Sequence, residues 1–173
     1  MTTLPPLPVT GAWLPGDEPG QRRFFTFATD RRFALDCGIA LSDVVIAYET
    51  WGELDADASN AILLCHAWTG DSHAAGPAGR GHHAPGWWDE MVGPGKPIDT
   101  DELFVVCSNL LGGCRGTTGP GSIKPATGTY WGTEFPLITV ADMVDVQHRL
   151  QQHLDIPSWL MVAGGSLGGH QAI

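Results

Sequence analysis

A serine flanked by glycines, close to the end of the sequence, carries the clearest chemical signature. The segment Gly164-Gly165-Ser166-Leu167-Gly168 matches the pattern G-x-S-x-G and directly follows the apolar run Trp159–Ala163. In this nucleophile elbow, a sharp turn between a strand and a helix exposes the serine hydroxyl. Side chains at the outer two glycines would collide with the neighbouring strand and helix, so both positions require glycine. The helix begins at Ser166, and the Leu167 amide is the predicted donor to an oxyanion.

Other uses of a glycine-rich turn have less support. A dinucleotide-binding turn needs glycines at its first, third and sixth positions, and Ser166 and Leu167 stand where those glycines would be. A nucleotide-phosphate loop ends in Gly-Lys-Ser or Gly-Lys-Thr, and the segment 119–124 lacks that ending. The remaining alternative to a nucleophilic serine is a turn that only packs closely.

A second candidate loop, His66-Ala67-Trp68-Thr69-Gly70, follows the apolar run Ala61–Cys65. In proteins with a serine elbow, the loop after such an early strand supplies a second oxyanion donor. The Trp68 amide is our candidate for that donor. His66 is interpreted as a structural histidine that is hydrogen-bonded beneath the loop.

A third candidate loop, residues 108–116, follows the apolar run Leu103–Cys107. A loop that leaves the carboxyl end of a parallel strand lies near the active crevice of an α/β protein. Asn109 and Arg115 are therefore candidates for substrate binding. Both residues are equally well explained as parts of the turn itself.

Composition argues against several classes of function. Lys and Arg number 9 against 19 Asp and Glu, so the formal net charge of -10 disfavours nucleic acids and anionic membranes as partners. No apolar run approaches the ~20 residues of a membrane helix, and the first eleven residues lack a signal-peptide pattern. We expect a soluble, cytoplasmic protein. The cysteines and histidines show no metal-binding spacing, and His82 and His83 are expected to be solvated in a Gly/Pro-rich loop.

The rest of the sequence predicts the frame that holds these loops. Residues 1–20 form an extended N-terminal arm, and residues 21–173 form one incomplete domain. Strands are predicted at Phe24–Phe27, Phe33–Leu41, Asp43–Thr50, Ala61–Cys65, Leu103–Cys107 and Trp159–Ala163. The last three are continuous apolar runs, typical of strands buried on both faces of a parallel sheet. Thr139–Leu154 is predicted to be a helix that begins with a capping box, and the alternation indicates an α/β fold. The loop Gly70–Gly95 is a candidate wall that excludes water from the site.

Five segments, in this order, resemble the homoserine O-acetyltransferase family, which has the α/β-hydrolase fold. They are residues 66–73, 86–99, 107–114, 116–120 and 164–169. The resemblance covers about residues 24–173. Trp68 stands where leucine is common in the family. This difference in side chain would not affect the Trp68 backbone amide as a donor.

By that resemblance, Ser166 takes an acetyl group from acetyl-CoA, and the homoserine hydroxyl removes it as O-acetylhomoserine. The resemblance implies acetyl-CoA as a co-substrate, no bound cofactor or metal, and a homodimer for the full-length enzyme. Three alternatives stay open: a succinyl-CoA donor, an esterase on the same fold, and a fragment without catalytic activity.

A serine of this kind depends on an acidic residue and a histidine that follow it in the chain. Only seven residues follow Ser166, and His170 lies one turn along the same helix, where it is poorly placed as a base. We therefore expect an α/β-hydrolase fold that is truncated after the elbow. The triad Asp and His would lie beyond Ile173, and the chain alone would be inactive.

Overall fold

The fold is built on a mixed sheet, and a computed structural model describes it for residues 11–173. In chain order the strands are β1 (Arg23–Phe27), β2 (Phe33–Ala34), β3 (Ala40–Leu41), β4 (Val44–Trp51), β5 (Ala61–Cys65), β6 (Val92–Gly93), β7 (Ile98–Asp99), β8 (Phe104–Ser108), β9 (Ile123–Lys124), β10 (Thr129–Tyr130) and β11 (Met161–Gly164). The helices are α1 (Val140–His153) and α2 (Leu167–Ala172), and a 3-10 turn covers Gly132–Glu134. None of the helices in this part of the chain is long and apolar enough to cross a membrane.

The main sheet has the strand order β1-β4-β8-β5-β11. β4 pairs antiparallel with both β1 and β8, whereas β5 pairs parallel with both β8 and β11. The prediction that the three apolar runs form strands of a parallel sheet is confirmed. Within the described residues β11 lies at one edge of this sheet, and its first residue, Met161, and the preceding Leu160 are exposed.

Most predicted strands lie within two residues of their observed positions, but the predicted strand Phe33–Leu41 is wrong. Its ends form the two-residue strands β2 and β3, which pair antiparallel around a turn. Gly38 has a φ of +83° and donates its amide to the carbonyl of Leu35, so the chain reverses inside the predicted strand. A glycine in the left-handed region accounts for the break.

The predicted N-terminal arm is described only from residue 11, and residues 1–10 lie outside the described part of the chain. Residues 11–20 contain no helix or strand. The Trp13 ring stacks on Phe24 with the ring centroids 5.1 Å apart, and the Trp13 amide donates to the Cys114 carbonyl. This part of the arm therefore packs against β1 and the loop after β8.

Both faces of the central strands are buried. In β5, Ala61, Leu63 and Cys65 face a core that includes Leu150 of α1, while the alternate residues face a second core. β8 divides its side chains between the same two cores. This arrangement explains the continuous apolar runs, because each face of a central parallel strand must be covered.

An irregular segment, and not a helix, covers the second face in this part of the chain. Ala74, Ala75 and Val92 are buried against β5 and β8, and Trp87 and Trp88 pack beside them. The structure thus gives the Gly/Trp-rich segment a packing role beneath the sheet. Its predicted role as a wall around the site stays a prediction.

Helix α1 begins with the predicted capping box. The Thr139 hydroxyl accepts a hydrogen bond from the Asp142 amide at 3.1 Å, and the Asp142 carboxylate accepts one from the Thr139 amide at 2.8 Å. The same carboxylate, which is buried, also accepts from the Asp36 amide, and the Thr139 hydroxyl donates to the Asp36 carboxylate. The cap therefore joins α1 to the turn between β2 and β3.

Replacing Thr139 by alanine should lower the free energy of unfolding by about 1–2 kcal/mol, because the cap and its link to Asp36 are both lost. Thr139→Ser keeps the hydroxyl and should stay within about 0.5 kcal/mol of the parent. Urea unfolding of the two variants measures the difference. Equal stability of the alanine and serine variants would contradict the assigned role of the hydroxyl.

Candidate functional site

Three loops leave the same edge of the sheet because their strands are parallel and in register. Gly164 of β11 pairs with Cys65 of β5, and Leu64 pairs with Cys107 of β8. The serine turn, the loop after His66 and the loop after Ser108 consequently begin side by side. This edge is the one at which α/β proteins bind ligands.

The serine turn has the backbone geometry of a nucleophile elbow. Ser166 has φ +56° and ψ -123°, a positive-φ conformation that is uncommon for a residue other than glycine, and it lies between the end of β11 and the start of α2. Its side chain is exposed. Such strain persists only where the surrounding structure fixes it.

Two close backbone contacts fix this turn. A Cβ on Gly164 would lie 2.5 Å from the Cys65 carbonyl oxygen, and a Cβ on Gly168 would lie 2.0 Å from the same oxygen. Both distances are far below van der Waals contact. The prediction that both positions require glycine is confirmed. The Cys65 carbonyl at the end of β5 blocks both positions, and the Gly168 backbone also blocks Gly164.

A buried glutamine pair that the sequence analysis missed supports α2 from the side. The Gln147 amide of α1 donates to Gln171 Oε1 at 2.8 Å, and Gln171 donates to the Leu167 carbonyl at 3.1 Å. Gln147 also lies 3.8 Å from the thiol sulfur of Cys65. Burial raises the pKa of that thiol to about 11, despite the opposing effect of the Gln147 hydrogen bond. A polar residue on the apolar face of α1 was the available signal.

The loop after β5 is fixed by His66 and a tight turn. His66 Nδ1 donates to the Ala67 carbonyl at 2.7 Å, and the Gly70 amide donates to the same carbonyl. Burial lowers the pKa of His66, against smaller opposing contributions from this hydrogen bond and from the Asp71 charge. The imidazole is therefore neutral at pH 7, and His66 has the structural role that the sequence analysis gave it. The Trp68 side chain is 76% exposed.

The side-chain oxygen and nitrogen of Asn109 are both hydrogen-bonded, to its own loop and to the neighbouring loop. Its Oδ1 accepts from the Ser72 amide at 2.8 Å, and its Nδ2 donates to the Ser72 hydroxyl and to the Arg115 carbonyl. The side chain is buried. Of the two interpretations of Asn109, the structure favours loop construction over substrate contact.

Arg115 remains available for a ligand. It is half-buried, and one guanidinium nitrogen donates to the Gly11 carbonyl at 2.8 Å. Arg115, Asn109, Trp68 and His66 line one cavity of about 420 Å³. The structure thus brings the candidates from two loops around one space. Ser166 is not among the residues that line it.

Among residues 11–173, one group of side chains is close enough together to be considered as a metal site. It consists of Glu49, His73 and His82, whose ligand atoms lie within 4.8 Å of one another. The two imidazole rings stack with centroids 3.7 Å apart and planes 12° apart. A metal ion lies in the plane of each histidine that binds it, about 2.1 Å from the nitrogen. Nearly parallel planes separated by this stacking distance cannot share one ion in that way. The geometry favours a hydrogen-bonded cluster.

The expectation that His82 is solvated is wrong. His82 is buried, whereas the neighbouring His83 is exposed, as expected. The sequence analysis also missed Glu49, whose carboxylate lies inside an apolar strand. The charge within the run Val44–Trp51 was the signal that a buried partner had to exist.

The serine lies in a strained turn between a strand and a helix, at the carboxyl edge of a parallel sheet. This arrangement defines a class of protein. The sequence model of the alpha/beta hydrolase fold matches residues 60–173, which include β5, β8, β11 and the serine turn. The chain belongs to the alpha/beta hydrolase fold family.

Individual relatives are more specific. The chain is 51% identical over 171 residues to homoserine O-acetyltransferase of Thermobifida fusca (strain YX), covering 99% of this chain and 44% of that protein. It is also 51% identical over 156 residues to homoserine O-succinyltransferase of Halothiobacillus neapolitanus (strain ATCC 23641 / c2), covering 90% of this chain and 38% of that protein. The crystal structure of esterase E22 matches with a TM-score of 0.78 and 38% identity, over 87% of this chain and 42% of that one. The chain thus spans about two fifths of the length of the curated relatives it matches.

Gly168 and Gly165 of the serine motif differ in packing, so alanine substitutions at these two positions test whether the close contact fixes the turn. Gly168→Ala should destabilise the fold by at least about 2 kcal/mol, because its Cβ would overlap the Cys65 carbonyl. Gly165→Ala should change stability by no more than about 0.5 kcal/mol, because nothing lies within 4 Å of its Cβ. Thermal or urea unfolding distinguishes them. Equal tolerance of both substitutions would contradict the contact that fixes the turn.

Proposed function

We propose that this chain provides the nucleophile and the oxyanion-binding loops of a homoserine O-acyltransferase, with acetyl-CoA as the acyl donor. The observation that carries the proposal is Ser166 in its strained conformation at the end of β11, in a chain that is 51% identical to a homoserine O-acetyltransferase. The chemistry requires an exposed serine hydroxyl, two donors for an oxyanion and a base.

In the proposed reaction, Ser166 Oγ attacks the thioester carbonyl carbon while its proton passes to a base. The C–S bond then breaks, and CoA leaves as the protonated thiol. The homoserine hydroxyl next attacks the acetyl-serine ester, its proton passes to the base, and Ser166 leaves with a proton. O-acetylhomoserine and free CoA are the products.

The Leu167 and Trp68 amides are the proposed oxyanion donors. Because Gly164 and Cys65 are paired in the sheet, Leu167 and Trp68 each lie three residues beyond a paired position. Leu167 is the first residue of α2, so its amide has no partner within the helix. Two such donors stabilise the developing negative charge, and the loss of one donor typically reduces turnover by 10²–10³-fold.

The base is proposed to come from outside residues 11–173. Within these residues, no side chain is hydrogen-bonded to the Ser166 hydroxyl, and His170 follows Ser166 on the same helix. A serine hydroxyl is a weak nucleophile unless a base takes its proton. We therefore propose that the chain alone is inactive and that a cytoplasmic, homodimeric enzyme containing it supplies the triad Asp and His.

Two alternatives have specific support. The similarity to a homoserine O-succinyltransferase at the same identity leaves succinyl-CoA as a second donor. The similarity to esterase E22 supports hydrolysis, in which water and not homoserine accepts the acyl group. Measuring CoA release from both thioesters, with and without homoserine, distinguishes the three activities.

Ser166→Ala should abolish acyl transfer. The test uses a chimera in which this chain replaces the matching part of the T. fusca enzyme, so that the rest of that enzyme supplies the base. We expect CoA release to fall by about 10⁴-fold or more, with no acetylated protein detected by mass spectrometry. Near-normal turnover of the alanine variant would contradict the assignment of Ser166.

The isolated 173-residue chain tests whether the base lies outside this chain. It should release no CoA above the protein-free blank when incubated with acetyl-CoA and homoserine. Steady release that disappears in Ser166→Ala would show that the chain contains its own base.

In the same chimera, Arg115→Gln should weaken the binding of an anionic part of one substrate, either the homoserine carboxylate or a CoA phosphate. A charge-assisted hydrogen bond contributes about 1.5–3 kcal/mol, so KM for that substrate should rise by at least about tenfold while kcat changes little. Arg80→Gln is the matched control, because Arg80 is exposed in an ion pair with Glu18. Unchanged KM values for both substrates would remove Arg115 from the site.

A further inference from the structure

A buried carboxylate lies beneath the loop that follows β5. Glu49 of β4 is 1% exposed, and each of its oxygens accepts a hydrogen bond from that loop. The Ser72 hydroxyl donates to Oε1 at 2.8 Å, and His73 Nδ1 donates to Oε2 at 2.9 Å. Two consecutive loop residues are thus attached to one side chain of the sheet.

The hydrogen-bond partners assign the protons of the two stacked histidines. The second nitrogen of His73, Nε2, faces the Pro77 carbonyl at 3.3 Å, so both of its ring nitrogens face acceptors and both carry hydrogens. His82 differs, because its Nε2 accepts from the Gln21 amide at 3.1 Å. A neutral His82 therefore carries its proton on Nδ1, which is buried without a hydrogen-bond partner among residues 11–173. These partners favour an imidazolium at His73 and a neutral imidazole at His82, and the two rings are stacked.

His73 is the better-placed counter-charge for Glu49, because His73 Nδ1 lies 2.9 Å from Glu49 Oε2 whereas His82 Nε2 lies 3.7 Å from it. The buried guanidinium of Arg22 lies 3.3 Å from the Asp71 carboxylate and also donates to the Pro19 and Gly81 carbonyls. The Arg22 guanidinium is therefore paired with Asp71, so the Glu49 carboxylate needs a different cation as its counter-charge. A buried carboxylate without a counter-charge costs several kcal/mol.

Neighbouring groups act on the two histidines in opposite directions. Burial lowers the pKa of His73, but the hydrogen bond and charge of Glu49, with smaller contributions from Pro77 and Asp71, outweigh burial and raise it overall. Burial also lowers the pKa of His82, and the charges of His73 and Arg22 add to this effect against those of Glu49 and Asp71. The remaining charged group that interacts with His73 is the exposed carboxylate of Asp89, which lies 3.6 Å from Lys96.

We infer that Glu49 and His73 form a buried carboxylate–imidazolium pair that positions residues 66–76, and with them the Trp68 amide. The importance of Trp68 rests on the proposed function, whereas the pair and its effect on the loop do not. Glu49 and His73 are positioning residues, because they act on the loop and not on a reacting atom. Asn109, which accepts from the Ser72 amide, attaches the same loop to β8.

The sign of the pH dependence follows from the raised pKa of His73. The pair stabilises the fold fully below the ordinary histidine value of about 6.5, and this contribution is lost as pH rises through the folded-state pKa. The loop should therefore loosen as pH rises above this ordinary value. Amide exchange of the loop, corrected for its intrinsic pH dependence, would measure the loosening.

The first experiment is an NMR titration of the unmodified chain with ¹⁵N-labelled histidine. We expect both His73 nitrogens to remain protonated above pH 6.5 and His82 to stay neutral with its proton on Nδ1. A His73 that loses a proton at or below its ordinary value overturns the inference. So does a neutral Glu49 carboxyl group that donates to an unprotonated His73 Nδ1. Because this experiment needs no variant, it remains decisive if substitutions unfold the chain.

The second experiment compares Glu49→Gln with Glu18→Gln, which removes one carboxylate from an exposed ion pair. Glu49→Gln should lower the His73 pKa below its ordinary value and accelerate amide exchange at Ser72 and His73 by at least tenfold. Exchange within α1 should change by less than twofold, and Glu18→Gln should behave like the parent. Unchanged loop exchange, or equal acceleration in α1, overturns the positioning role. Neither experiment measures acyl transfer, so failure of the proposed function would leave this test intact.

Discussion

The contact between α2 and the Cys65 carbonyl is the constraint on which the rest of the site depends. The helix can approach the end of β5 only because Gly164 and Gly168 have no side chains. That approach leaves Ser166 no room for ordinary backbone angles and forces the exposed, left-handed turn. The strain in the serine is therefore stabilised by packing between two glycines and a neighbouring strand, and the glutamine pair holds the helix against that contact.

The loops opposite the serine are fixed by a different kind of interaction. Around the loop after β5, the ordering groups are buried and polar: Asn109 satisfies Ser72 and Arg115, and Glu49 satisfies Ser72 and His73. Pairing stabilises such a network, because an unpaired polar group in a low-dielectric interior is costly. Within residues 11–173, the buried ring nitrogens His66 Nε2 and His82 Nδ1 lack a hydrogen-bond partner. Steric exclusion shapes the serine side of the edge, and electrostatic pairing shapes the other side.

The sequence was most informative where one local rule decides the outcome. Apolar runs predicted β5 and β8 to within a residue, the capping pair predicted the start of α1, and the glycine pattern predicted the serine turn. It was least informative where distant residues meet. Nothing local shows that Glu49 and His82 approach each other, or that an irregular segment replaces a helix on the second face. The short hairpin of β2 and β3 was missed because one glycine overrode β-propensity, as turn chemistry often does.

The pairing of β5 with β11 has a consequence for how the chain folds. These strands are about 100 residues apart in sequence, whereas β5 and β8 are about 40 apart. Pairings between distant segments form slowly, since the entropy of loop closure must be lost before any contact is gained. The Cys65 carbonyl meets its glycines only after this long-range docking. We therefore expect the chain to form the β5–β8 part of its sheet before β11 docks, so that the strained turn at Ser166 is among the last features to form during folding.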